Sequence, residues 1–148
     1  MSGILVGFDG SEGARRALHW AVALAARLDE PLTVLYVQRY ELPPEHVVMR
    51  AGGDVVPGLE ERRRTAEGLL DEAFDELGPG APDVPIEREI VFDRDPSAVL
   101  TDRSSKADLL VVGSRGLGEF AGLLVGSVSL RCVTHSRCPV VVVPPPDD

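Results

Sequence analysis

Gly113-Ser114-Arg115-Gly116, followed after nine residues by Gly126-Ser127, carries the residue types from which phosphate sites are built. Glycines let a backbone reach positive φ and approach a ligand closely, and a helix that follows offers N–H groups without intrahelical partners at its positive end. The run Asp108-Leu109-Leu110-Val111-Val112 that leads in is too short for a helix. It is continuously apolar after its first residue, as expected of a strand buried on both faces of a parallel sheet. Spacing alone is weak in a chain with 15 glycines, and a glycine-rich turn without a ligand is the competing reading.

A triphosphate needs several donors. Those on offer are the N–H groups of the Gly113–Gly116 loop, those of Gly126, Ser127 and Val128, and the Ser127 and Ser129 hydroxyls. Arg115 adds charge, or else points to solvent or pairs with an acidic neighbour. Ser127 also suits a helix N-cap, a role compatible with phosphate contact because an N-cap hydroxyl already faces the free amides. A second motif, Gly7-Phe8-Asp9-Gly10-Ser11, follows the first apolar run. Asp9 accepts hydrogen bonds when ionised and so suits a base amino group or a ribose hydroxyl; it equally suits a turn or a helix cap. Val37, ending the second apolar run, offers backbone groups to a purine edge or belongs to the core.

These residues need a frame, and the chain alternates short apolar runs with longer amphipathic stretches. That pattern predicts an α/β domain of parallel strands joined by right-handed helical crossovers. Strands are expected over Ile4 to Phe8, Leu32 to Val37, Pro85 to Val91, Leu109 to Val112 and Pro139 to Val143. The first helix follows Ser11 as N-cap and turns Ala14, Ala17, Leu18, Ala21, Leu24, Ala25 and Leu28 to one face. The second runs from Leu59 to Leu77 with Glu60 to Arg64 on a solvated side, the third from Pro96 to Ser105, and the fourth from Gly126 or Ser127 to about His135. Between Gln38 and Gly58 the pattern lapses around Pro43-Pro44, Gly52-Gly53 and Pro57-Gly58, which predicts a mobile loop. Residues 144–148 form an acidic, proline-rich tail. A doubly wound sheet commonly reverses strand order around its first strand, which places strands one and four side by side with a crevice at their C-terminal ends. The two loops with unusual chemistry are the ones that follow those two strands.

Composition bounds the function. At 148 residues and 44% hydrophobic content the chain suits a single domain, 1–148, with a real core. Its 24 acidic against 15 basic residues give a net charge of −9, which argues against nucleic acid. No run approaches the ~18–20 apolar residues of a spanning helix, and no basic leader precedes Gly3-Ile4-Leu5-Val6; a cytoplasmic protein without membrane contact is expected. Cys132 and Cys138 are too few for a disulfide framework, and His19, His46 and His135 are scattered, so no metal site is expected.

The ordered motifs resemble the universal stress protein family, in the subgroup carrying the ATP-binding pattern G-2x-G-9x-G-[S/T]. The pattern is matched at Gly113, Gly116, Gly126 and Ser127. The opening Ile4-Leu5-Val6-Gly7-Phe8-Asp9-Gly10-Ser11, the run from Ala107 to Gly116 and the closing Gly126-Ser127-Val128-Ser129 and Cys138-Pro139-Val140-Val141-Val142-Val143 are similar as well. The resemblance implies strand order 3-2-1-4-5, a homodimer through the last strand, and ATP with its base near Asp9 and Val37 and its phosphates on the glycine loop and Ser127. An apolar edge strand from Val140 to Val143 agrees with the dimer, because such an edge aggregates unless paired or covered. Two departures stand out: Asp93-Arg94-Asp95, where relatives commonly have a glycine after strand three, brings three charges to the crevice rim, and Gln38-Arg39-Tyr40 makes an unusual exit from the second strand that bears on closure over the nucleotide.

The expected function is therefore an ATP-binding, dimeric stress or signalling module whose nucleotide occupancy sets a conformation read by a partner. Magnesium would be held mainly through the phosphates. An ATP-hydrolysing or phosphoryl-transferring enzyme is the alternative, but it would need a base and a fixed metal. The chain has no G-x-x-x-x-G-K-[ST] loop, no lysine in the glycine motif and no evident catalytic carboxylate pair, so no catalytic residue is assigned and at most slow hydrolysis is expected. A preference for AMP or cyclic AMP stays open, since the base-side contacts would be shared.

Overall fold

The computed structural model describes residues 3–40, 58–114 and 126–146. Five strands form one parallel sheet in the order β3-β2-β1-β4-β5, as the family resemblance implied. In chain order the elements are β1 (Ile4–Phe8), α1 (Glu12–Leu28), β2 (Leu32–Arg39), α2 (Leu59–Asp75), β3 (Ile86–Asp93), α3 (Pro96–Ser104), β4 (Leu109–Gly113), α4 (Ser127–His135) and β5 (Val140–Val143). The four helices among the described residues divide between the two faces of the sheet.

Strand alternation sorts the core into two layers, because successive side chains of a strand point to opposite faces. Ile4, Val6, Phe8, Val34, Tyr36 and Val111 pack against α1 and α2 through Ala14, Ala17, Leu18, Ala21, Ala66 and Leu70. Leu5, Leu35, Val37, Leu110 and Val112 pack on the opposite face against Leu100 of α3 and Cys132 of α4. The α1 stripe is as expected except at its end, where Leu28 is left exposed and Val22 is buried instead.

Local chemistry sets the helix boundaries. The Ser11 hydroxyl accepts from the Ala14 N–H at 3.1 Å and caps α1, as its sequence position predicts. Asp95 caps α3 by accepting from the Ala98 N–H at 3.2 Å, with Pro96 in the first turn, where a missing N–H costs nothing. Arg131 of α4 donates to the other oxygen of Asp95 at 2.6 Å, tying α3 to α4. Of the three charges expected at the rim, Asp95 is thus a cap and an ion-pair partner.

Two strands run further than expected. Gln38 and Arg39 extend β2, paired in register with Phe92 and Asp93 of a β3 that is likewise longer at its C-terminal end. The aperiodic stretch anticipated from Gln38 thus begins later, since parallel pairing recruits polar residues whose types alone suggest a loop. The remainder of that anticipated loop, residues 41–57, lies outside the described residues, as do residues 147–148 of the tail.

Candidate functional site

β1 and β4 lie side by side at the centre of the sheet, and the chain leaves their C-terminal ends in opposite senses, toward β2 and toward β5. Such a switch point opens a crevice. A cavity of about 210 Å³ lies there, walled by Gly7 and Phe8 of β1, Asp9 of the loop that follows, Tyr36 to Arg39 of β2, Pro96 and Leu100 of α3, Val112 and Gly113 of β4, and Val128 and Ser129 of α4.

Of the residues expected to bind nucleotide, Asp9, Val37, Gly113, Val128 and Ser129 line this cavity. Gly126 and Ser127 sit at the start of α4 beside it without forming its wall. Arg115 and Gly116 lie outside the described residues. Gln38 and Arg39, noted in the sequence only as an unusual exit from the second strand and not as site residues, both line the cavity, and their positions follow from the extra length of β2.

Asp9 is fixed by its own turn. Its Oδ1 accepts the Ser11 N–H at 2.9 Å, so the turn role and the cavity role coexist in one residue. The Tyr36 phenol, 5% exposed, makes a long 3.4 Å hydrogen bond to the Asp9 carbonyl. Burial, and then the neighbouring Asp9 carboxylate, push its pKa above the ordinary phenol value, so it remains a neutral donor at the cavity wall. Gly10 has a φ of +88°, which explains the glycine in this turn.

The glycine logic at β4 differs from the expectation. Gly113 does not have positive φ; among the described glycines positive values occur at Gly3, Gly10, Gly58 and Gly78. A Cβ on Gly113 would instead lie 2.7 Å from the Gly13 carbonyl oxygen and 2.8 Å from its carbon. Glycine stands there because β4 and the start of α1 touch backbone to backbone.

The start of α4 also differs in detail. Gly126, not Ser127, is the N-cap, with φ −75° and ψ 170° and no side-chain hydrogen bond to the helix. Ser127 is the first helical residue and is exposed. The Gly126 N–H, expected to face phosphate, donates to the Ser114 carbonyl, and the Ser114 N–H donates to Val143 at 3.0 Å. The Ser129 hydroxyl donates to the Gly113 carbonyl and so fixes α4 to the end of β4, leaving only its lone pairs for a ligand. The N–H groups of the first turn after Gly126 have no intrahelical partner by helix geometry, and the N-cap residue, a glycine, offers no side chain to cap them. They point the positive end of α4 at the Gly113 side of the cavity.

Among the described residues no group of three or more His, Cys, Asp and Glu is arranged to hold a metal ion, and no helix is long and apolar enough to cross a membrane. His19 bonds the Ala73 carbonyl at 2.9 Å between α1 and α2, away from the cavity. β5 lies at the edge of the sheet with all four valines half-buried.

Comparison with known proteins fits this geometry. The profile of the Universal stress protein family matches residues 1–144. A universal stress protein of Thermus aquaticus is 33% identical over 144 residues, covering 95% of this chain and 96% of that protein. One from Mycolicibacterium smegmatis is 33% identical over 144 residues, covering 96% of this chain and 45% of that protein. The chain thus spans about half the length of the mycobacterial relatives it matches. Among solved structures, universal stress protein UspA from Lactobacillus plantarum superposes with a TM-score of 0.76 at 26% identity, covering 96% of this chain and 97% of that one. A universal stress protein solved in complex with cAMP gives a TM-score of 0.63 at 28% identity, covering 97% of this chain and 95% of that one. With the sheet order, the central crevice and a profile match over nearly its whole length, this chain belongs to the universal stress protein family.

Proposed function

We propose that this chain is an ATP-binding module of the family, in which nucleotide occupancy sets a conformation read by a partner. The observation that carries the reading is the cavity at the switch point, with Asp9 and Val37 on one side and the glycine-capped start of α4 on the other. The positive end of α4 takes phosphate, with the exposed Ser127 hydroxyl and the Val128 N–H beside it. Val37 offers backbone groups, and Asp9 an acceptor, to the nucleoside. Gly126, Arg115 and Gly116 complete the phosphate side in this reading, and Mg²⁺ is held mainly through the phosphates. Among the described residues the wall supplies one carboxylate and no lysine, which suits holding a nucleotide more than consuming one. Two copies pairing through the β5 edge would cover the half-buried valines there and give a homodimer.

One observation favours a second reading. A relative 28% identical to this chain was solved with cAMP, so AMP or cyclic AMP competes with ATP for the same cavity. The test is a thermal-shift series. ATP with Mg²⁺ at about 100 times its Kd stabilises the fold by about 2.7 kcal/mol, a shift of about 5–10 °C at this chain length. Gly126→Val, which places a branched side chain at the mouth of the free amides, loses that shift while retaining the fold. A stronger shift with AMP or cyclic AMP than with ATP supports the second reading, and retained binding by Gly126→Val shows that α4 does not hold the phosphate.

A further inference from the structure

The cavity has two chemically different ends. At β4 its wall is Gly113, Val128 and Ser129, beside the first turn of α4; at β2 it is Val37, Gln38 and Arg39. β1 separates the two strands, so the ends lie two strand spacings apart, about 10 Å at about 4.8 Å each. A nucleoside bridges that distance. Phosphate at α4 therefore leaves the base at β2.

The groups at the β2 end differ in what they offer a base. The Gln38 amide carries both donors and an acceptor and adapts to any purine edge, whereas an ionised Asp9 only accepts and Arg39 only donates. Arg39 is the one cation among the described lining residues. It follows Leu35 and Val37 in strand alternation, on the sheet face that packs against α3 and α4, and it is exposed. Other arginines are committed elsewhere. Arg88 pairs with Asp71, Arg103 with Glu89 and Arg131 with Asp95, while Arg62 and Arg63 lie over the Tyr40 and Phe92 rings. Arg39 lines the cavity and makes no ion pair among the described residues, so no described carboxylate competes with a ligand for its donors.

A purine declares itself at C6: adenine carries an amino donor, whereas guanine and hypoxanthine carry an oxo acceptor beside the N7 acceptor. A donor-only guanidinium gains nothing from the amino group and makes a two-point contact with O6 and N7. Resting on the reading that the cavity holds a purine nucleotide, we infer that Arg39 is a specificity residue that admits 6-oxopurine nucleotides, GTP and ITP, alongside ATP.

Calorimetric titration of the native chain and of Arg39→Met with ATP, GTP and ITP tests this, with circular dichroism verifying the fold of the variant. In the native chain GTP and ITP bind within about tenfold of ATP, and Arg39→Met weakens both by about tenfold while changing ATP by less than about twofold. Binding of ATP without GTP or ITP overturns the inference and leaves the nucleotide reading standing. Equal weakening of all three by Arg39→Met also overturns it and marks Arg39 as a phosphate contact. Failure of ATP itself to bind overturns the nucleotide reading, and the inference with it.

Discussion

Replacing Gly113 by alanine tests whether this glycine serves packing or ligand approach. The added Cβ would meet the carbonyl oxygen and carbon of Gly13 at 2.7 and 2.8 Å, where ordinary contacts lie beyond 3.4 Å. Both neighbours are backbone atoms, so no side chain can swing away. Relief requires β4 and the start of α1 to separate by several tenths of an ångström, and the packed layer through Ala14, Val6 and Val111 resists that movement. Overpacking of this kind costs about 1–3 kcal/mol, which at this chain length lowers Tm by about 3–10 °C. Gly68 supplies the control, because it lies within α2 and an added Cβ there meets nothing within 4 Å. Gly68→Ala gains about 0.5–1 kcal/mol from helix propensity. The assay is thermal and urea unfolding of both variants without nucleotide. A Gly113→Ala chain as stable as the native one, or a Gly68→Ala chain that falls equally, would refute the packing argument.

Other predictions follow from single groups. Asp95 has its pKa lowered to about 2, first by the Ser97 hydroxyl and also by the Ala98 N–H and Arg131, against an opposing push from desolvation. A depressed carboxylate stabilises the fold above its unfolded pKa and loses that contribution as pH falls through the folded value. The stability gap between native chain and Asp95→Ala, about 1 kcal/mol from the cap at neutral pH, therefore closes between about pH 4 and pH 2 in urea titrations; a gap constant across that window contradicts the assignment. Burial pushes the Cys132 thiol up to about 11 and raises Cys138 as well. Cys132 should resist thiol reagents at pH 8 until the chain unfolds, and rapid labelling of Cys132 in the folded protein would count against its place on the buried face of α4.

The fold was legible because two signals agreed: apolar runs too short for helices, and amphipathic stretches long enough to cross back. Ser11 as cap, Ser127 to His135 as helix and the layer assignment of the α1 alanines follow from residues that act locally. The ends of β2 and β3 did not, since Gln38 and Arg39 become strand only through pairing with Phe92 and Asp93 about fifty residues away. That pairing also hid two wall residues of the cavity. Gly113 was rightly singled out but for a different physical reason. The backbone of Gly13 is its neighbour, and no local pattern reveals a contact across a hundred positions. The cap at Gly126 was ambiguous by one residue, because serine is the better side-chain cap and only the backbone decides which residue stays outside the helix.

Equilibrium binding of ATP with Mg²⁺ to the purified native chain, with Gly126→Val beside it, tests the central claim most directly. Saturable binding near one nucleotide per chain, lost in the variant while its unfolding transition remains cooperative, is the predicted result. No binding of ATP, AMP or cyclic AMP to the folded native chain would contradict it.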